Sequence, residues 1–169
     1  MVVSILNPAA QAMVHRLSET FCLGIEPGKA MLKRSDLPLG DITALVEIAS
    51  TTFHASLAIT FNEQSILMLT QKLLHETHLC IDDSVESVAC EIAAMIGCDV
   101  KRKFADKGQA IVVKHPSVFV GFGERIVHPT DGPKVVFPIN TEEGIIFLEI
   151  CVETAELCEN YPQAEAKVA

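Results

Sequence analysis

The sequence lacks the features that mark membrane proteins and nucleic-acid-binding proteins. No apolar run approaches the roughly 20 residues of a membrane-spanning helix, although 49% of the 169 residues are hydrophobic. Thirteen lysines and arginines stand against 22 acidic residues, for a formal net charge of −9. The one basic cluster, Lys101–Lys103 with Lys107, is flanked by Asp99 and Asp106, which is typical of a solvated helix end. Because anionic surfaces repel such a chain, we expect no membrane and no nucleic-acid partner.

We also expect neither disulfide-paired cysteines nor an export signal. The six cysteines include no C-x-x-C pair, and Pro8 and His15 interrupt the segment where a signal peptide is uniformly apolar. We therefore expect a cytoplasmic protein without disulfides, whose cysteines are mostly small core residues. The length suits one domain with its own core. We predict a single domain over residues 1–153 and a polar, loose tail over residues 154–169.

The first half of the chain predicts helix, strands and helix. Asn7-Pro8 favours a helix start, and Gly24 a helix end. A short strand is expected over Met31–Arg34, and alternating apolar residues predict strands over Ile42–Ile48 and Phe53–Phe61, joined by a turn at Thr51-Thr52. Asn62 is a suitable cap for a helix that runs to about His75, buried through Ile66, Leu67, Leu69, Leu73 and Leu74.

The second half predicts the longest helix and then four strands. Asp83-x-x-Glu86 is typical of a helix start, and the periodic pattern continues to about Phe104. Turn residues then separate four strand-like segments: 110–113, 117–122, 134–139 and 144–152. Because short connections favour antiparallel pairing, we predict an α+β fold in which long helices pack on one antiparallel sheet.

The longest predicted helix has an unusual outward face. At about 100° per residue, its large apolar residues share one face. The opposite face holds Ser87, Glu91, Ala94 and Cys98, with Cys90 and Gly97 at its border. Small side chains around a single acid allow another surface to come close, so this face is a candidate contact site. The alternative is a helix enclosed on both sides within the fold.

This helix also carries a resemblance to a known family. Residues 84–104, SVESVACEIAAMIGCDVKRKF, resemble the central helix of the CheX and CheC chemotaxis phosphatases, whose motif is E-x-x-N a few residues before a glycine. Three further stretches are similar to the family in the same order and spacing: residues 23–27, 55–61 and 111–121. The resemblance implies the CheX-like fold and spans most of the chain.

The resemblance implies a partner and a reaction. The family acts on the phosphorylated aspartate of a CheY-like response regulator, which brings its own Mg²⁺, so no cofactor of the protein's own is expected. The motif glutamate, here Glu91, contacts the regulator's conserved lysine, and the motif asparagine orients the attacking water. This sequence has Ala94 at the asparagine position. Partner binding is then expected through Ser87, Glu91, Ala94 and Cys98, with Glu91 as the remaining catalytic residue; since relatives dimerise, a homodimer is possible.

Three functions stay open at this point. The first is a binding module that docks a response regulator without efficient dephosphorylation, because the methyl group of Ala94 cannot hydrogen-bond water. The second is an active phosphatase that takes its amide from another residue or from across a dimer. The third is a non-catalytic partner of flagellar or other signalling proteins.

Other motifs favour no separate activity. His75-x-x-His78-x-Cys80 lacks a fourth ligand at a recognised spacing, so we expect no metal site. Gly121-x-Gly123 is typical of a bend or bulge in a strand rather than of a dinucleotide loop. No G-x-S-x-G nucleophile elbow is present.

Overall fold

The computed structural model describes residues 2–121 and 125–154. Its elements follow in the order α1 (Val2–Phe21), β1 (Glu26–Pro27), β2 (Met31–Lys33), β3 (Ile42–Ala49), β4 (Phe53–Phe61), α2 (Glu63–Leu74), α3 (Asp83–Ala105), β5 (Val112–Val113), β6 (Ser117–Val120), β7 (Lys134–Thr141) and β8 (Gly144–Thr154). The predicted tail lies outside the described residues, except that β8 continues through Thr154. A bend was predicted at Gly121-x-Gly123, and its residues 122 and 123 also lie outside the described residues.

The strands form one antiparallel sheet, which confirms the predicted fold class. Strand order is β1-β7-β8-β4-β3-β5, and β2 also pairs with β7 while β6 pairs with β3. β4 lies in the centre, with register pairs such as Leu57 with Val46 on one side and with Ile150 on the other. Every described pairing is antiparallel.

The two faces of the sheet are covered by different parts of the chain. On one face, alternate residues of β3, β4 and β8 pack with α1, α2 and α3 in the main core. On the other face, Ile126 packs on Leu45 and Ala58 in a smaller cluster. Because both faces of β4 are covered, all nine of its residues are buried, including His54.

The first helix starts earlier than predicted. Asn7-Pro8 does not begin it, because the helix runs from Val2 with Pro8 inside, and the left-handed residue after it is Cys22 (φ 52°) rather than Gly24. Ile5, on the same stripe as Ala9 and Ala12, is only 1% exposed. Burying an isoleucine is worth about 1.5–3 kcal/mol, which is comparable with the cost of about 3 kcal/mol for an interior proline.

The cysteine prediction is wrong for most of the described thiols. Cys22, Cys80 and Cys98 are exposed, Cys90 is half-buried, and Cys151 is buried; all five are free. Cys22 follows the end of α1, Cys80 lies in the loop between α2 and α3, and Cys98 is on the outward side of α3. None of these positions faces the core. Cys158 lies outside the described residues.

Asp99 is a buried ion-pair partner, not part of a solvated helix end. Its carboxylate accepts hydrogen bonds from Arg16 Nε at 2.8 Å and Arg16 Nη2 at 2.7 Å, and it also pairs with Arg102. The Asp99 side chain is 3% exposed. Because Arg16 belongs to α1 and Asp99 to α3, this pair fixes the two helices to each other. Sequence periodicity alone did not reveal it.

A buried polar chain crosses the opposite face of the sheet. Ser56 Oγ lies 2.7 Å from His128 Nδ1, His128 Nε2 donates to Glu149 Oε1 at 2.9 Å, and Lys33 binds the second oxygen of Glu149. Serine, histidine and acid are also the parts of a hydrolase triad. Here, however, Ser56 is fully buried, so no substrate reaches its hydroxyl. The chain is a structural link between β2, β4, β8 and the segment that carries His128.

Glu149 should make stability depend on acid pH. Burial disfavours its charged form, but hydrogen bonds from His128 and Lys33 outweigh burial and lower its pKa. A lowered folded-state pKa stabilises the fold above the unfolded value of about 4.5, and this contribution is lost as pH falls further. We expect Glu149→Gln to cost about 2 kcal/mol at pH 7, with the difference from wild type shrinking below about pH 4.5. Chemical unfolding across pH checks this, with exposed Glu142→Gln as control; a constant difference would contradict it.

Candidate functional site

The longest helix is fixed at its start by an aspartate cap. Asp82, rather than the predicted Asp83, holds the cap position: its Oδ1 accepts from the backbone N–H groups of Ser84 and Val85, each at 3.0 Å. His78 Nδ1 bonds the other carboxylate oxygen at 2.8 Å. The His78 hydrogen bond and the Val85 N–H lower the pKa of Asp82, so the cap stays charged where a helix N-terminus favours an anion.

The orientation of α3 is set by its buried side. Val85, Val88, Ala89, Ile92 and Ile96 are buried against the core, as predicted, with Met95 half-buried. Gly97 also points inward, because a Cβ there would come within 2.8 Å of Val113 and 3.3 Å of Val46. The glycine therefore lets the helix lie close to β3 and β5. Sequence analysis had placed it at the border of the outward face.

The outward side of α3 carries the residues singled out from the sequence. Ser87, Glu91 and Cys98 are exposed, and Ala94 is half-buried. The alternative of a helix enclosed on both sides therefore does not hold for this helix. The structure brings these four side chains onto one face, while their functional roles remain predictions.

Glu91 is the one charged residue among the four on this face. No residue of the described chain makes an ion pair or hydrogen bond with its carboxylate. Its neighbour one turn earlier, Ser87, donates its hydroxyl proton to the Asp83 carbonyl at 2.8 Å. The face therefore offers an unpaired anion, with the nearby hydroxyl donor already engaged by the helix backbone.

A groove extends this face onto α2, which sequence analysis missed. Its described lining is Leu73, Leu74, Ser84, Ser87, Val88 and Glu91. We call it the α2–α3 groove. Leu73 and Leu74 were predicted to be buried, but Leu73 is half-buried and Leu74 is 41% exposed. One feature of the sequence could have indicated this exposure: both leucines lie in the last turn of α2, where a side chain can extend beyond the residues that form the core.

No amide side chain is found among the described residues that line this groove. The carboxamides of Asn62 and Gln64 are used elsewhere, the first as the α2 cap and the second with Glu143. Gln71 lies beside a different depression, with Lys72 and His75. In the described part of the chain, a substitute amide beside Glu91 is therefore not found in the same copy.

The spacing His75-x-x-His78-x-Cys80 does not bring metal ligands together in the described residues. Within residues 2–121 and 125–154, no three His, Cys, Asp or Glu side chains form a group that could hold a metal ion. His78 instead supports the Asp82 cap. Within the same residues, no helix combines the length and hydrophobicity needed to cross a bilayer.

The cysteines of α3 should differ in reactivity. Burial, together with the nearby Glu91 charge, raises the pKa of the Cys90 thiol, whereas Cys98 is exposed. Their separation of eight residues is about 12 Å along the helix, too far for a disulfide. We expect iodoacetamide to modify Cys98 well before Cys90, with Cys151 last, as followed by peptide mass spectrometry. Faster modification of Cys90, or a Cys90–Cys98 crosslink in native protein, would contradict this placement of α3.

The fold and this face together define a class of protein: one antiparallel sheet carrying helices on one side, with an exposed glutamate on the outward side of its longest helix. The family model described as "Chemotaxis phosphatase CheX" matches residues 42–140, and the chain belongs to the CheX family. No curated protein sequence matches it.

Solved structures of similar proteins agree with this family. The chain is 31% identical to a CheC-like superfamily protein from Shewanella sp. PV-4, with a TM-score of 0.82 over 90% of this chain and 99% of that one. It is 27% identical to the chemotaxis protein CheX from Vibrio vulnificus, with a TM-score of 0.80 over 89% and 99%. A CheX–CheY–BeF3–Mg²⁺ complex from Borrelia burgdorferi shares the fold at 20% identity, with a TM-score of 0.75 over 88% and 97%.

Proposed function

We propose that this CheX-family protein docks a CheY-like response regulator through the outward side of α3 and leaves the regulator's aspartyl phosphate largely intact. The observation that carries the proposal is that Glu91 is exposed and has no partner among the described residues, while the residue three positions later is Ala94. The fold shared with the B. burgdorferi complex, in which a CheX is bound to a CheY, supports the choice of partner.

The docking half of the proposal follows from size and charge. Ser87, Ala94 and Cys98 are small, so a partner surface can approach the helix closely. Glu91 then meets the regulator's lysine as the groove loses water, where an ion pair gains strength. The partner brings Mg²⁺ with it, and this chain supplies the anion.

The low phosphatase activity in the proposal follows from the side chains beside Glu91. Phosphoryl transfer depends on positioning the attacking water and neutralising charge. The Ala94 methyl group neither donates nor accepts a hydrogen bond, and the Ser87 hydroxyl proton is bound to the Asp83 carbonyl. A carboxylate alone adds negative charge near a phosphoryl group. We therefore assign Glu91 to binding and expect little turnover.

Removing the Glu91 charge should weaken the complex. Glu91→Gln is expected to reduce affinity by about 1–3 kcal/mol, because the partner's lysine would lose its anion on desolvation. Isothermal titration with CheY-like receiver domains, each loaded with Mg²⁺ and beryllofluoride, measures the change. Glu86→Gln is the matched control: it makes the same charge change on the same helix, about 140° around the axis.

A bulky substitution on the same face tests the location of the interface separately from the role of the Glu91 charge. Ser87→Trp should block close approach and remove most of the binding. Binding that is indifferent to Glu91→Gln but lost with Ser87→Trp would leave docking on α3 and remove the role given to Glu91. Binding indifferent to both substitutions would move the interface off this face.

A further inference from the structure

The outward side of α3 ends in an anchored cation. Arg102 follows Glu91 by about three helical turns, which places it about 16 Å along the helix and within about 20° around its axis. Its guanidinium group pairs with Asp99 through Nη2, while its side chain stays 67% exposed. Asp99 is buried and also holds Arg16 with both carboxylate oxygens. Arg102 is therefore fixed from the buried side of the helix and remains open to solvent.

One carboxylate here serves two guanidinium groups. Arg16 and Arg102 both pair with Asp99, so the three side chains together keep one positive charge. In the described part of the chain, Asp106, the next acid after Asp99, forms no ion pair with either arginine. A protein with a formal net charge of −9 thus presents an uncompensated cation at one end of the face that is proposed for docking.

The helix dipole alone does not account for the placement of Arg102. Cations near the C-terminus of a helix offset its dipole, and both Arg102 and Lys103 lie in the last turn of α3. That effect is the same on every side of a helix, whereas docking uses one side. Lys103 lies about 100° around the axis from Arg102 and is half-buried. The two positions therefore separate a partner contact from a contribution to helix stability.

The guanidinium group selects a carboxylate as its partner. Only Nη2 bonds to Asp99, so Arg102 keeps further donors in a planar fork that matches a carboxylate. Because Asp99 already orders the side chain, little rotamer entropy is left to lose on binding. The regulator's phosphoryl group is a second anion, but under the proposed function it faces Ala94, about 12 Å along the helix from Arg102.

We propose that Arg102 binds a surface carboxylate of the docked regulator and forms a second charged contact of the interface. The inference rests on the proposed function and deepens it. An interface of ordinary size covers about 800 Å² per partner, roughly 30 Å across, so one receiver domain spans both Glu91 and Arg102. Two contacts of opposite sign fix the direction in which the regulator lies along α3, which one ion pair at Glu91 does not.

The first experiment removes the charge of Arg102. Arg102→Gln should weaken binding of the receiver domain loaded with Mg²⁺ and beryllofluoride by about threefold to tenfold, because a charge-assisted contact is lost. Lys103→Gln makes the same charge change in the same turn and should bind within about twofold of wild type, a factor typical of exposed charges. Asp99 keeps Arg16 in both variants, so their urea unfolding should stay close to that of wild type. Equal effects of the two substitutions on binding would overturn the contact.

The second experiment identifies the partner group. Arg102→Lys introduces an amine at this site, and a carbodiimide joins an amine to a carboxylate only where the two groups are in contact. We expect peptide mass spectrometry to find the introduced lysine joined to one acidic residue of the receiver domain. Exchanging the charges, Arg102→Glu with that acid changed to lysine, should restore binding to within about threefold of wild type. If no such crosslink forms, or if the exchange restores nothing, the partner group is not a carboxylate and the assignment is wrong.

The outcomes separate this inference from the proposed function. If Glu91→Gln weakens binding but Arg102→Gln does not, the Arg102 contact is wrong and docking on α3 stands. If the wild-type protein binds no receiver domain of the panel, the proposed function fails and the Arg102 contact fails with it.

Discussion

Replacing Ala94 with asparagine is expected to create a working phosphatase. The carboxamide would stand one turn from Glu91 on the outward face and hold the attacking water in line with the phosphoryl group. Positioning and proton-transfer groups are typically worth on the order of 10²–10⁴ in rate, so loss of phosphate from the regulator should accelerate by about 100-fold or more. Ala94 is half-buried on this face, and the exchange should cost well under about 1 kcal/mol in helix propensity.

Two further variants show whether the gain comes from position. Ala94→Asn combined with Glu91→Ala should lose it, because the regulator is no longer held against the amide. Cys98→Asn places the same group one turn further along the same face, and it should stay at the wild-type rate. An equal gain from Cys98→Asn would mean that any amide on this face assists the reaction and that the position of Ala94 is not special.

Removing the Asp99 carboxylate should cause the largest loss of stability. Arg16 is only 25% exposed, so Asp99→Ala leaves a guanidinium group unpaired in a largely enclosed place. Loss of one member of a buried pair costs about 3–5 kcal/mol; we expect about 3 kcal/mol, since Arg16 regains part of its hydration. Urea unfolding should show a lower midpoint at a similar slope.

The pair offers its own controls. Arg102→Ala should have a small effect, because Arg102 is 67% exposed and exposed ion pairs contribute little. Combining Asp99→Leu with Arg16→Met should recover much of the loss, since no unpaired charge then remains buried. If Asp99→Ala costs no more than Arg102→Ala, the link between α1 and α3 is not a stabilising contact.

Elements defined by local chemistry were predictable from the sequence. Alternation in β3 and β4 gave their extent to within a residue, and Asn62 accepts a hydrogen bond from Ser65 N at 3.0 Å, as its position before an apolar helix predicts. The outward position of Glu91 likewise follows from helical periodicity. In each case, the deciding interactions lie within a few residues along the chain.

Features that depend on distant residues were not predictable in this way. Arg16 and Asp99 are 83 positions apart, and Ser56 and His128 are 72 apart. No local pattern distinguishes those residues from solvated ones. The groove was missed for the same reason, because it exists only where the end of α2 meets α3. The predicted start of α1 was wrong because burial of Ile5, a tertiary contact, offsets the local preference of Pro8.

The most direct test of the account is the lifetime of the regulator's aspartyl phosphate in the presence of saturating wild-type protein. Binding is first established by titration, and phosphate loss is then followed with and without the protein. The account predicts a lifetime within about twofold of that of the regulator alone, because none of the described residues that line the groove with Glu91 carries an amide to hold the attacking water. A lifetime shortened to the value expected for Ala94→Asn would contradict it and would mean that an amide is supplied from elsewhere, such as a second copy of the chain.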